Sequence, residues 1–482
     1  MKHKVSEASI PFTEKNDLTP FFEPKSVAVV GSFKKAFFGG YVSVKTMLNA
    51  GFMGNIYPVN PSYKEVLGLR VYPSIKDVPA KIELAVVIIG CQNVPKVIRQ
   101  CAEKGVRAVI VVSDGFAERN EEGAVLQNQI VEIARQTKMR IIGPNTVGTA
   151  NIGNNFNPNP YETGYAKMKA GGIAICSQTG VTSPQAFPYA DLNYGVSKIC
   201  DFGNKCDIDE CDMLEYLESD ASTKVIVMYL ENIRDGRKFL QVSRRIISQK
   251  PVLIFKSGRT KEGARMSASH TGSLAVDDQI FDAACKQAGI IRLERFKEIF
   301  DLPKIFSCQP LPKGNRLGIV SITGGLGVVA TDEGVRYGLS VSSFSPETVN
   351  RLNSFFPGLG KNAVDYGPVL PHIADYMSLY REILKAVLTD ENTDCLLNVV
   401  WADTFKKSIE EDYGKIFKEL KGHQKPIATW IYGSKLSVVD KITRSLEDQD
   451  FPVFPDPETA VKALGIASKY AITSCQGSML KP

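Results

Sequence analysis

The chain has 482 residues, 44% hydrophobic and 23% charged, and its 58 basic and 52 acidic side chains leave a net charge of +6. Domains of roughly 100–200 residues predict about three of them. No stretch approaches the ~18–20 apolar residues of a membrane span, and "MKHKVSEASIPF" lacks the apolar core of a secretory signal. Lys/Arg-rich runs are also absent, so the expectation is a cytoplasmic protein that binds neither membrane nor nucleic acid.

The first elements alternate short β-branched runs with amphipathic stretches. "SVAVVG", "NIYPVN", "LAVVIIG", "AVIVVS" and "RIIGPN" read as strands, and "GYVSVKTMLNAG", "VPKVIRQCAEKG" and "EEGAVLQNQIVEIARQTK" as the helices between them. Continuous apolar strands separated by helices predict a parallel sheet covered on both faces. "NIGNNFNPNPYETGYAKMKAGG" has no periodicity and reads as a linker. A second set follows ("GIAICSQ", "VSKICDFG", "KVIVMYLE", "PVLIFKSG"), then the breaker "CQPLPKGN" and a third set ("RLGIVSIT", "DCLLNVVW", "PIATWIYG", "FPVFPDP"). The fold expected is α/β, with three doubly wound domains over residues 1–155, 168–310 and 315–482. Sets two and three open alike, as strand, Ser/Thr/Gly loop and helix start, which points to an internal duplication.

Three strand-to-helix junctions suit an anion, because a helix N-terminus offers unpaired N–H groups and small residues permit close approach. In the first, Gly31 and Ser32 precede Lys34 and Lys35. The dinucleotide fingerprint is missing, since position 33 is Phe and the next strand ends "IYPVNP" without a ribose-binding acid. In the second, Ser177, Gln178, Thr179 and Gly180 make a candidate phosphate cradle; a well-capped helix would need the same residues. The third, Thr323 to Gly327, carries no charge and reads as structural. The clustered Cys200, Cys206 and Cys211 form no Cys-x-x-Cys pair and lie near no histidine, so they read as free thiols rather than a metal site.

The chain contains four histidines, and His270 stands in "SASHTGSLAVDD" among small donors, with Lys256, Arg259, Lys261 and Arg265 just upstream. A partly unprotonated imidazole is a good nucleophile near neutral pH. A phosphoryl group on it needs donors for its oxygens, and the other ring nitrogen needs a carboxylate.

Together with "FFEPKSVAVVGS", "GFMGNIYPVNPSYKEVLGLRVYPSIKDVP", "IIGPNTVG", "ICSQTG" and "DFGNKCDIDECDMLEYLESDASTKVIVMYLENIRDGRKFL", this segment resembles the NDP-forming acyl-CoA synthetases. These are the ADP-forming acetate–CoA ligases, relatives of succinyl-CoA synthetase, and the resemblance is to the CoA-binding, phosphohistidine-bearing alpha subunit. It implies a Rossmann-like CoA-binding domain followed by two flavodoxin-like domains. It also implies interconversion of acyl-CoA, ADP and phosphate with a carboxylic acid, CoA and ATP, through an acyl phosphate and a phosphohistidine at His270. Glu231 would orient that histidine, and Ser177, Gln178, Thr179, Gly180, Thr271 and Gly272 would hold phosphate. Gly31, Ser32 and Lys34 would meet the phosphates of coenzyme A, Asn60 and Pro61 its adenosine side, and Asn145 its reacting end. The chain offers no ATP-grasp module, so Mg-ATP/ADP would be bound by a separate beta subunit, in a hetero-oligomer such as α2β2. "SQTGVTSPQ", "AVDD", "GPNTVG" and "GSFKKAFFGG" depart from the family's usual wording, and the acyl group is open. A non-catalytic acyl-CoA sensor and a dinucleotide-dependent oxidoreductase are the alternatives. The His270–Glu231 pair argues against the first, the missing ribose acid against the second.

Overall fold

The computed structural model describes residues 17–162, 168–182, 194–271, 277–341, 343–373, 375–402 and 408–479, with the backbone alone for 267–271 and 475–479. By internal packing the described chain divides into two compact units. One comprises Met1–Ala150, Phe156–Glu162 and Phe202–Asp220; the other comprises Asn151–Asn155, Thr163–Asp201 and Ala221–Pro482.

The first unit holds the strands β1 Ser26–Gly31, β2 Asn55–Val59, β3 Leu84–Ile88, β4 Ala108–Val111 and β5 Arg140–Ile142, in the spatial order β2-β1-β3-β4-β5. All four pairings are parallel. Both faces of such a sheet are covered, which is why β1, β3 and β4 are buried at every position. The helices Gly40–Ala50, Val94–Glu103 and Glu121–Thr137 connect them.

The second unit holds two sheets. Five strands of the first of these, β6 Ala170–Ser177, β7 Val196–Asp201, β8 Val225–Leu230, β9 Val252–Lys256 and β10 Ile291–Arg292, run in the order β10-β9-β8-β6-β7. The last sheet is β12-β11-β13-β14-β15, built from β11 Leu317–Ser321, β12 Val364–Asp365, β13 Cys395–Trp401, β14 Ile427–Tyr432 and β15 Val453–Phe454. Numbered in chain order, each of these three sets of five strands has the doubly wound order 2-1-3-4-5. The likeness of the two sheets of the second unit reaches individual atoms. Ser177 Oγ donates to the Thr179 carbonyl at 2.9 Å and accepts from the Thr179 N–H at 2.9 Å. Ser321 makes the same pair of bonds with Thr323, at 2.9 and 3.2 Å.

Two stretches differ from their reading in the sequence. The supposed linker is docked from Phe156 to Glu162: Phe156 is fully buried against Phe52, and Ser43 Oγ donates to the Pro158 carbonyl at 2.8 Å. The Asn157 and Asn159 side chains accept from backbone N–H groups two residues on, so order arises without periodicity. The second stretch, Phe202–Asp220, is flanked in sequence by strands of the second unit yet packs in the first. Ile208, Cys206 and Asn204 donate N–H bonds to the carbonyls of Ile141, Gly143 and Pro144. Arg140 anchors it through Asp207 and Asp212, at 3.0 and 2.8 Å, and a buried Lys205–Glu210 pair closes it at 2.8 Å.

Candidate functional site

In a sheet of order 2-1-3-4-5 the chain reverses direction between strands one and three, and the crevice beyond their carboxyl ends is where such folds take ligands. Each of the three junctions singled out above follows strand one of its sheet, so each lies at this point.

In the first unit, Gly31 ends β1 and Asn60 follows β2. Asn60 Nδ2 donates to the Gly31 carbonyl at 2.8 Å, and Asn60 Oδ1 accepts from the Ser62 N–H at 2.8 Å. Ser32 Oγ lies 3.5 Å from Tyr63 Oη, and the Ser32 carbonyl receives the Tyr41 N–H in the first turn of helix Gly40–Ala50. Packing is tight here, because a Cβ on Gly31 would stand 3.1 Å from the Ile88 carbonyl. Lys34 and Pro61 are exposed at the rim. The structure therefore brings Gly31, Ser32, Asn60 and their neighbours together. It keeps Asn145 apart: that residue follows β5, three strands from β1, or ~14 Å at the usual strand spacing. Asn145 instead meets Asn204, its Nδ2 donating to Asn204 Oδ1 at 3.4 Å. Asn204 in turn donates to Glu118 and, at 3.0 Å, to Gln127 Oε1. Glu118 and Asn204 were not singled out from the sequence; the shared Asn/Gly wording of "GPN" and "GNK" was the available signal.

In the second unit, Ser177 ends β6 and Glu231 follows β8, its parallel neighbour. Glu231 is buried, 5% exposed. Its N–H donates to Gln178 Oε1 at 2.7 Å, the Asn232 N–H donates to the same oxygen at 3.2 Å, and Gln178 Nε2 donates to Asn232 Oδ1 at 3.1 Å. Tyr229 Oη lies 3.5 Å from Glu231 Oε1, and burial, with that carboxylate beside it, pushes the phenol above its ordinary value. Thus the 177–180 loop and Glu231 are joined, and Tyr229 and Asn232 are added to the group. Gly180 begins a short turn, Gly180–Thr182; Pro184 lies outside the described residues.

His270 and Thr271 occupy the last turn of helix Lys261–Thr271, and Gly272 lies outside the described residues. Ala264 and Ala268 are strong helix formers, in keeping with this helix. Of the cations upstream, Lys256 is buried, its Nζ donating to the Ser257 carbonyl at 3.0 Å, and burial lowers its pKa. Arg259 donates to the Glu294 carbonyl at 2.7 Å. Cys200, Cys206 and Cys211 are buried thiols, and among the described residues no group of three or more His, Cys, Asp or Glu converges as a metal site.

The three sets of five strands are parallel and doubly wound, and in the second unit a buried carboxylate is tied to a Ser/Thr/Gly loop at a switch point of such an α/β fold. Family models agree: residues 25–151 match a CoA binding domain and residues 170–306 a succinyl-CoA ligase-like flavodoxin domain. An ADP-forming acetate–CoA ligase II of Archaeoglobus fulgidus is 37% identical over 463 residues, covering 94% of this chain and 67% of that relative. The alpha subunit of ADP-forming acetate–CoA ligase I from Pyrococcus furiosus is 34% identical over 94% of this chain and 98% of its own length. A solved structure, the dinucleotide-forming acetyl-coenzyme A synthetase 1 of Ca. Korarchaeum cryptofilum in complex with phosphate and ADP, superposes with a TM-score of 0.87. It shares 31% identity, over 97% of this chain and 100% of that one. The chain belongs to the ADP-forming acetate–CoA ligase family, a family of acid–thiol ligases. It spans 62% of the length of an ADP-forming acetate–CoA ligase of Methanocaldococcus jannaschii. No described helix is long and apolar enough to cross a membrane.

Proposed function

We propose that this chain is the CoA-binding, phosphohistidine-bearing alpha component of an ADP-forming acyl-CoA synthetase of the cytoplasm. Phosphate oxygen attacks the thioester carbonyl of acyl-CoA, giving acyl phosphate and free CoA thiol. An imidazole nitrogen of His270 then attacks phosphorus, breaking the bond to the carboxylate oxygen and releasing the carboxylic acid. Phosphohistidine passes its phosphoryl group to ADP. Every step runs in reverse for synthesis of acyl-CoA. Phosphoryl transfer depends on positioning and charge stabilisation, so a buried carboxylate and a loop of small donors suit it.

In this reading Glu231 orients and stabilises the His270 imidazole, and the 177–180 loop with Thr271 and Gly272 receives phosphate. Gly31, Ser32 and Lys34 hold the CoA phosphates, Asn60 and Pro61 border its adenosine, and Asn145 serves the reacting end. The three domains span residues 1–155, 168–310 and 315–482. Mg-ATP or Mg-ADP is bound by an ATP-grasp beta component, in an assembly such as α2β2. The observation that carries the reading is the 2.7 Å bond joining Glu231 to the Ser177–Gln178 turn at the switch point of the second sheet.

The test is to incubate the full chain with acetyl-CoA and labelled inorganic phosphate, without nucleotide, and to measure acid-labile, base-stable label. Wild-type protein is expected to label and His270→Asn to stay blank. Equal labelling of the two would sink the assignment.

A further inference from the structure

From the bonding of Gln178 we infer that this side chain is a positioning residue for Glu231 rather than a direct ligand of phosphate; the inference rests on the role given to Glu231 above. β6 and β8 pair in parallel, with Ser177 opposite Tyr229 as the last partners. The Gln178 N–H adds one more rung, to the Tyr229 carbonyl at 3.1 Å. There the backbone ladder stops and the Gln178 side chain continues it. Its carbonyl oxygen accepts from both Glu231 and Asn232 N–H groups, at 2.7 and 3.2 Å, and its amide nitrogen donates to Asn232 Oδ1 at 3.1 Å.

Gln178 is 5% exposed, so both ends of its amide are engaged where water cannot readily replace a lost partner. Freeing the amide for phosphate would break the bonds it accepts from two backbone N–H groups beside a buried carboxylate. The reach is also specific. Asn is one methylene short, and an apolar residue of the same length fills the space but accepts nothing. The residue that opens the Ser177 turn thus sets where Glu231 begins, coupling the loop to the carboxylate across 53 positions of sequence.

The experiment follows phosphohistidine formation by the full chain from acetyl phosphate, over a range of concentrations and pH. Gln178→Met is expected to lower the maximal labelling rate by about 10²-fold, the effect of a displacement near 1 Å, with the half-saturating acetyl phosphate unchanged. Gln178→Glu keeps an acceptor for both N–H groups, so it recovers rate at higher pH. The acid limb of its profile moves up, because a second carboxylate beside Glu231 favours protonation. If Gln178→Met does not fold, Gln178→Glu carries the test alone. A raised half-saturation at unchanged maximal rate in Gln178→Met, or Gln178→Glu slow at every pH, would overturn the inference. In the Glu231→Gln background Gln178→Met should add no further loss, and a multiplicative loss would also overturn it. Glu231→Gln labelling at the wild-type rate would instead defeat the role of Glu231. A slow Glu231→Gln beside a normal Gln178→Met would defeat the present inference alone.

Discussion

The Lys462 ammonium lies 2.9 Å from Glu298 Oε1 and 3.0 Å from Glu294 Oε2, joining helix Pro457–Met479 to residues 294–298 within the second unit. Glu298 is 2% exposed and Lys462 4%. Removing one partner of a buried pair costs up to about 3–5 kcal/mol, whereas replacing both with apolar groups is often near neutral; after loss of Lys462, Glu298 keeps the largely exposed Arg295 at 3.2 Å, which offsets part of that cost. Lys462→Met should therefore lower the urea midpoint of the second unit, and Lys462→Met with Glu298→Met should restore most of it. A double variant as unstable as the single would show that packing, not charge, holds this seam.

Acid sensitivity follows from the same pair and two further carboxylates. Burial pushes Glu298 up, but the Lys462 hydrogen bond and the N–H groups of Glu294 and Arg295 outweigh it and hold it below its usual range. The Arg316 hydrogen bond, against some burial, does the same for Asp394. At Asp390 the bonds from Thr348 and Ser345 overcome burial. Folded values below unfolded ones of about 4 stabilise the fold above that pH and lose effect as pH falls through the lowered values. Lys462 is displaced the other way: burial lowers it, yet its bonds to Glu298 and Glu294 raise it overall. Its contribution is complete below the unfolded value, about 10.4, and fades as pH rises through the folded one. These carboxylates should thus make unfolding free energy fall below about pH 4, whereas His423, held below its usual value by burial, already costs stability as pH falls through about 6.5. Asp394→Asn should flatten that acid limb, and an unchanged slope would count against the assignment.

Gly203 joins the "GNK" and "GPN" loops. It has φ +54°, and a Cβ there would stand 2.1 Å from the Pro144 carbonyl oxygen. A side chain must both accept a left-handed backbone and displace that carbonyl, so strain of about 1–3 kcal/mol is expected. Gly203→Ala should lower the thermal midpoint and raise hydrogen exchange at Asn204 and Cys206, whose N–H groups bond Pro144 and Gly143. Unchanged exchange at both would mean that the loops are held elsewhere.

The long strands were legible in the sequence because burial on both faces leaves an unbroken apolar run: "SVAVVG" is β1 residue for residue. The second strand of the third sheet and the fifth of the second, Val364–Asp365 and Ile291–Arg292, are two residues each and carry no periodicity to read. Without them the shared 2-1-3-4-5 order was hidden. The three anion junctions were visible as residue types at strand ends. The partners of their side chains were not, since the Gln178 amide meets groups 53 and 54 positions away. Which unit holds Phe202–Asp220 was equally hidden, because Arg140, Asp207 and Asp212 are ordinary charges until the fold sets them together.

Two residues of the first junction should act on coenzyme A in distinguishable ways. Lys34 is exposed, and its attraction for a polyanion is screened by salt. Asn60 works at short range by pinning the Gly31 carbonyl. Lys34→Ala should weaken CoA binding by about 0.2–1 kcal/mol, as exposed ion pairs do, and by less as salt is raised. Asn60→Ala removes a neutral hydrogen bond, an effect of about 0.5–1.5 kcal/mol that salt should leave alone. Calorimetric titration with CoA at low and high ionic strength reads both. Equal salt dependence in the two variants would place Lys34 away from the CoA phosphates, and tight binding of NAD with none of CoA would replace the ligand altogether.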